Sequence, residues 1–172
     1  PDNKLEGISS ARALTGKEQE TVILFVDVRQ FTKIAEHKLP YDVVYILNKY
    51  YAVCGKIIEA NGGRLDKFIG DGVMAIFGMT DGLQAGCRNA LAATNAIAER
   101  MEHLNAELAG QLDTPLRVGM GLHAGPVILG RIGALDTNGV NARITALGDV
   151  VNTASRLESS SKELGHALVV ST

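Results

Sequence analysis

At 172 residues the chain has the length of one domain with its own apolar core. A formal net charge of −2 excludes a broad electrostatic attraction to nucleic acid or to an anionic membrane. No apolar run is long enough to cross a bilayer and no signal peptide is recognisable, so a cytoplasmic domain without membrane contact of its own is expected, with a membrane-bound parent left open.

Residues 1–20 carry Gly, Ser, Lys and Glu with little periodicity and read as a lead-in, leaving 21–172 as the domain. Thr21 to Asp27 is a continuous apolar run rich in β-branched residues, as expected of a strand buried on both faces. Val28 to Thr32 then turns into a helical segment. Pro40 opens a longer helix with Val43, Leu47, Tyr50, Cys54, Ile57 and Ile58 on one face, stopped by Asn61-Gly62-Gly63. Leu65 to Ile69 and Val73 to Phe77 form two short strands joined by Gly70-Asp71-Gly72. A Gly-flanked acid suits positive-φ backbone and places a carboxylate at a hairpin tip.

Asp81 to Leu108 is an Ala-rich helix expected to bury Cys87, Leu91, Ile97, Met101, Leu104 and Leu108. Leu116 to His123 alternates apolar residues with Arg and Gly, as a strand packed closely on one side; Ala124-Gly125-Pro126 signals a turn, after which Val127 to Gly133 returns as a partner. Ala134 to Asn141 is polar and turn-like. Arg143 to Leu147 is a further strand segment, Asp149 to Leu164 a helix with Val151, Ala154 and Leu157 inward, and Ala167 to Val170 a last strand. The outline is α+β, a ferredoxin-like βαββαβ core with helices on one face of a mainly antiparallel sheet.

Two acids stand out. Asp27 ends a buried strand and Asp71 tips a hairpin, so they converge if those strands are neighbours. Paired carboxylates repel unless a cation lies between them, and hard oxygen ligands with substrate phosphates suit Mg²⁺. Alone, the hairpin reads as an ordinary turn carrying a surface Lys67. Asn152 and Arg156, four apart, share a helix face opposite the apolar stripe; on a generic helix that face is simply solvated. Cys54 and Cys87 read as reduced core residues, and His37, His103, His123 and His166 have no metal-ligand spacing.

FVDVRQFT, DKFIGDGVMAIFG and ALGDVVNTASRLE, in that order, resemble the signature motifs of the class III nucleotidyl cyclase catalytic domain, from about Thr21 to the chain end. The resemblance implies two divalent ions, Mg²⁺ or Mn²⁺, on Asp27, Asp71 and the Val28 carbonyl. It further implies phosphate contacts from the Val28 to Thr32 segment, with Phe31 and Thr32 among the substrate-binding residues. Asn152 would orient the ribose and Arg156 would stabilise charge on the transferring phosphorus. Lys67 and Thr145 match the base-reading positions of ATP-selective members, and Thr at 145 matches a subgroup that includes bicarbonate-stimulated enzymes. The expected assembly is a head-to-tail homodimer sharing two sites, with ATP as substrate. Two departures accompany the likeness: Pro126 stands where some members carry a phosphate-binding Arg, for which Arg131 is a weak substitute, and no C-terminal hairpin with a phosphate-binding Lys is found before Thr172. The rival readings are a degenerate domain used for dimerisation or nucleotide sensing, and a diguanylate cyclase, whose GGDEF-type signature is absent.

Overall fold

The computed structural model describes residues 16–132 and 143–171. In chain order it contains β1 (Lys17–Val28), α1 (Phe31–Glu36), α2 (Pro40–Ala60), β2 (Arg64–Ile69), β3 (Gly72–Phe77), α3 (Leu83–Glu107), β4 (Val118–Ile132), β5 (Arg143–Leu147), α4 (Asp149–Leu164) and β6 (Leu168–Val170). The six strands make one sheet in the order β2-β3-β1-β4-β5, with β6 parallel to part of β4 and the other pairings antiparallel. The β2-β3-β1-β4 portion, with α2 and α3 as crossovers, is the expected βαββαβ core. The expected polar turn from Ala134 to Asn141 lies outside the described residues.

Strand alternation in β1 sorts the core into two layers. Val22, Leu24, Val26 and Val28 point to one face, where Ile46, Tyr50, Cys54 and Ile58 of α2 and Ala90, Ala93, Ile97, Met101 and Leu104 of α3 pack on them. Ile23 points to the other face, into a cluster with Met74, Ile76, Val127 and Ala146 that is closed by Val150 and Ala154 of α4. The expectation of helices on one face therefore holds for α2 and α3 and not for α4. A glycine stripe on β4 makes room for α4: a Cβ at Gly121 would overlap the Ala154 carbonyl oxygen and the Glu158 nitrogen, and one at Gly125 would lie 2.8 Å from Val150 Cγ2. Both helix stripes also shift from expectation. Val43 is only half-buried while Ile46 and Val53 are buried, and Leu91 is 44 % exposed because the small Gly86, Ala90 and Ala93 face the sheet instead.

β4 differs most from its sequence reading. It runs unbroken through Gly125 and Pro126, because β1 starts at Lys17 and pairs with it from Lys17↔Leu129 to Val28↔Val118. Pro126 lies between the stretches of β4 paired to β6 (Met120 to Leu122) and to β5 (Ile128 to Ile132), so on that outer edge its missing N–H takes no bond from the ladder. β2 carries a bulge between Leu65 and Lys67, which gives Asp66 no partner on β3. Cys54 and Cys87 are free thiols. No helix among the described residues is long and apolar enough to cross a membrane.

Gly121→Ala forces α4 off the sheet and should lower the melting temperature by about 6–12 °C, the equivalent of roughly 3 kcal/mol. Gly55→Ala, in α2 with open space around it, should instead stabilise by up to about 1 kcal/mol. Thermal melts of the two variants check both signs.

Candidate active site

The β1–β3 register sets Asp27 opposite Gly72, one residue from Asp71. The tip is held from below: Gly70 takes φ +59°, and the Tyr51 hydroxyl of α2 donates to its carbonyl. The Tyr51 ring also packs on Phe68, with centroids 4.1 Å apart. The hairpin thus delivers Asp71 within hydrogen-bond reach of Asp27. Burial first, then the hydrogen bond and charge of Asp71 and the charge of Glu158, push the Asp27 carboxyl from an ordinary 3.8 to about 7, against a lowering bond from the Val28 N–H. Glu158 of α4 is itself raised by burial, with Arg29 opposing and Asp71 adding to the shift. Burial and the charges of Asp71 and Asp27 likewise raise the Tyr51 phenol.

Carboxyls this close share a proton until a cation takes its place. No cluster of three or more His, Cys, Asp or Glu side chains suited to a metal occurs among the described residues. The adjoining Asp27 and Asp71 carboxyls are hard oxygen donors of the kind Mg²⁺ takes one or two of, completing its shell with water and substrate phosphates, so the donor set fits a divalent ion. Val28 buries its side chain in the core, so toward a cation only its backbone carbonyl could serve as a ligand.

Past Val28 the chain bends sharply. Gln30 adopts φ 55°, the one positive value at a non-glycine among the described residues, and starts α1. Lys33 and Ile34 donate to the Gln30 carbonyl, so the N–H groups of Phe31 and Thr32 precede the helix ladder. Phe31 packs against the core while Thr32 is exposed. Arg29 donates to Ser161 Oγ at 3.1 Å and to the His166 carbonyl, tying this bend to the end of α4.

Lys67 and Thr145 come together although β2 and β5 stand at opposite ends of the strand order. The Thr145 hydroxyl donates to Asp66 Oδ2 at 2.9 Å, and Lys67 Nζ lies 3.5 Å from the same oxygen. Asn152 and Arg156 are exposed on α4, away from its buried Val150 and Ala154. Neither side chain hydrogen-bonds within the described residues. One chain therefore presents an acid pair, a Lys–Asp–Thr group and an exposed Asn–Arg face. Asp66, Glu158 and Tyr51 escape the sequence reading, and Arg29 entered it only as part of the Val28 to Thr32 segment. Of the first three, Asp66, adjacent to Lys67, and Glu158, two residues past Arg156, carried a positional hint. The side chain of Arg131 lies outside the described residues.

The family model for the adenylate and guanylate cyclase catalytic domain matches residues 15–171. The chain belongs to that family. The adenylate cyclase of Anabaena cylindrica is 34% identical over 171 residues, covering 96% of this chain. The chain spans only 32% of that relative's length. Among solved structures, the adenylyl cyclase CyaB from P. aeruginosa superposes with a TM-score of 0.78 at 31% identity, covering 86% of this chain and 74% of that one. The guanylyl cyclase Cya2 gives a TM-score of 0.78 at 30% identity, covering 85% of this chain and 72% of that one. Divalent metal cofactors are general in this family, in keeping with the donor set around Asp27. Similarity of this order to both adenylyl and guanylyl enzymes leaves the base to the residues of the cyclase domain itself.

In metal-free buffer the folded cyclase domain holds the Asp27 proton more tightly than the unfolded chain does. The stabilising contribution is complete below pH 3.8 and is lost as the pH rises through about 7. Asp27→Asn removes that loss. At pH 8 in EDTA the variant should melt roughly 3 °C above the parent if about 1 kcal/mol survives solvent screening. At pH 4 the difference should vanish, and Mg²⁺ should stabilise the parent alone.

Proposed function

We propose that this cyclase domain converts ATP to 3′,5′-cyclic AMP and pyrophosphate in a signalling pathway, at two sites shared by a head-to-tail homodimer. The observation that carries the reading is the convergence of Asp27 and Asp71, whose mutual repulsion a cation relieves. Two divalent ions held by Asp27, Asp71 and the Val28 carbonyl would supply a lowered pKa for the attacking 3′-hydroxyl and neutralise the leaving phosphates. The ribose 3′-hydroxyl gives up its proton to solvent as its oxygen forms a bond to the α-phosphorus, the bond from that phosphorus to the bridging oxygen breaks, and pyrophosphate leaves with the negative charge. The N–H groups of Phe31 and Thr32 meet the phosphates, Asn152 orients the ribose, and the Arg156 fork spreads over the developing phosphoryl charge.

The preference for ATP is supported by the Lys67–Asp66–Thr145 arrangement, which brings a cationic donor and a hydroxyl into one small group. The shared site is supported by the exposure of Asn152 and Arg156, which leaves both free to serve a second copy. Bicarbonate is assigned as an activator on the Thr145 match, and raised turnover on adding it at fixed pH checks that point.

Asp27→Ala and Arg156→Ala should each abolish measurable cyclase activity when assayed alone. Mixed in equal amounts, they should recover roughly a quarter of wild-type activity, because half of the random dimers carry one intact site of two. No recovery argues for a site built within one chain, and cyclic GMP as the main product of the wild type overturns the base assignment.

A further inference from the structure

Asp66 is an odd residue for its place. It occupies the bulge of β2, its side chain is only 1% exposed, and its Oδ1 has no hydrogen-bond partner among the described residues. A buried carboxylate oxygen left unpaired weakens a fold, so strand pairing gives no reason for an acid here. Both of its contacts are to the residues assigned to the base: Thr145 Oγ1 at 2.9 Å and Lys67 Nζ at 3.5 Å.

The chemistry of these contacts is directional. A hydroxyl has one proton to donate and two lone pairs to accept with, while a carboxylate only accepts. The proton between Thr145 and Asp66 therefore belongs to Thr145, and the lone pairs of Thr145 are what remain for a ligand. A free threonine can present either its proton or its lone pairs, and so serves the 6-amino group of adenine and the 6-oxo group of guanine equally. Lys67, with its side chain 42% exposed, keeps ammonium protons for a ring-nitrogen acceptor such as adenine N1.

We infer that Asp66 is a specificity-determining positioning residue, which holds Lys67 and commits the Thr145 hydroxyl as an acceptor so that the pair accepts adenine and rejects guanine. The inference rests on the adenylyl reading and deepens it. With the hydroxyl fixed this way, guanine sets its carbonyl oxygen against a lone pair and its N1–H against an ammonium. Loss of Asp66 frees the hydroxyl to turn and admits GTP.

The test is a double-mutant cycle read as the ATP:GTP ratio of kcat/KM, with Mn²⁺ present. Asp66→Ala should lower the ratio roughly tenfold, the scale of one charge-assisted hydrogen bond. In a Thr145→Val background the same substitution should shift the ratio by clearly less, through Lys67 alone, since there is no hydroxyl to orient. Should Asp66→Ala fail to fold by thermal melting, Asp66→Ser, too short to reach Thr145, replaces it. A folded variant that keeps the ratio within about twofold of wild type, or one that shifts it equally with and without the Thr145 hydroxyl, overturns the inference. Either result is distinct from failure of the adenylyl reading, which shows as a GTP preference in the unmodified domain.

Discussion

Two carboxyl groups are forced together at the end of β1, and much of the local architecture maintains that unfavourable contact. The β1–β3 register fixes Asp27 beside the hairpin, Gly70 permits the turn, and Tyr51 reaches up from α2 to hold it. The cost appears in the Asp27 carboxyl, which keeps its proton up to about pH 7. A fold tolerates such a pair because burial elsewhere is extensive; each large apolar side chain packed between the sheet and α2 or α3 contributes on the order of 2 kcal/mol.

The two faces of the sheet divide the work. Behind it, α2 and α3 form the thick apolar layer that makes the strands a rigid platform. In front, α4 lies close to β4 across Gly121 and Gly125, with a small cluster beneath it and its polar side open. Seating α4 there places Glu158 beside the acids while Asn152 and Arg156 face outward. On the proposed reading, a single chain offers complementary halves of a reaction centre, which is the arrangement a two-fold assembly needs.

Much of this was legible in the residues. A β-branched apolar run located β1, glycine-flanked runs located β2 and β3, and Pro40 and Gly165 bounded their helices where expected. Other features were not, for physical reasons. An amphipathic stripe says which side of a helix is buried but not which face of a sheet buries it, so the seat of α4 was hidden. Gly125-Pro126 is a good local turn signal, overridden by twelve residues of β1 pairing along a straight β4. The bulge at Asp66 breaks the two-residue alternation, so nothing in the spacing showed that acid turning toward Thr145, 79 residues away. The roles of the acid pair and of the Asn–Arg face came from the motif likeness, because spacing alone does not reveal which distant residues meet.

The central claim is that a cation displaces the proton shared by Asp27 and Asp71. Calorimetric titration of Mn²⁺ at pH 7, repeated in buffers of different ionisation enthalpy, measures that displacement directly. The account predicts release of on the order of half a proton per Asp27–Asp71 site filled in the parent and none in Asp27→Asn. Binding of Mn²⁺ to the parent without proton release would contradict it.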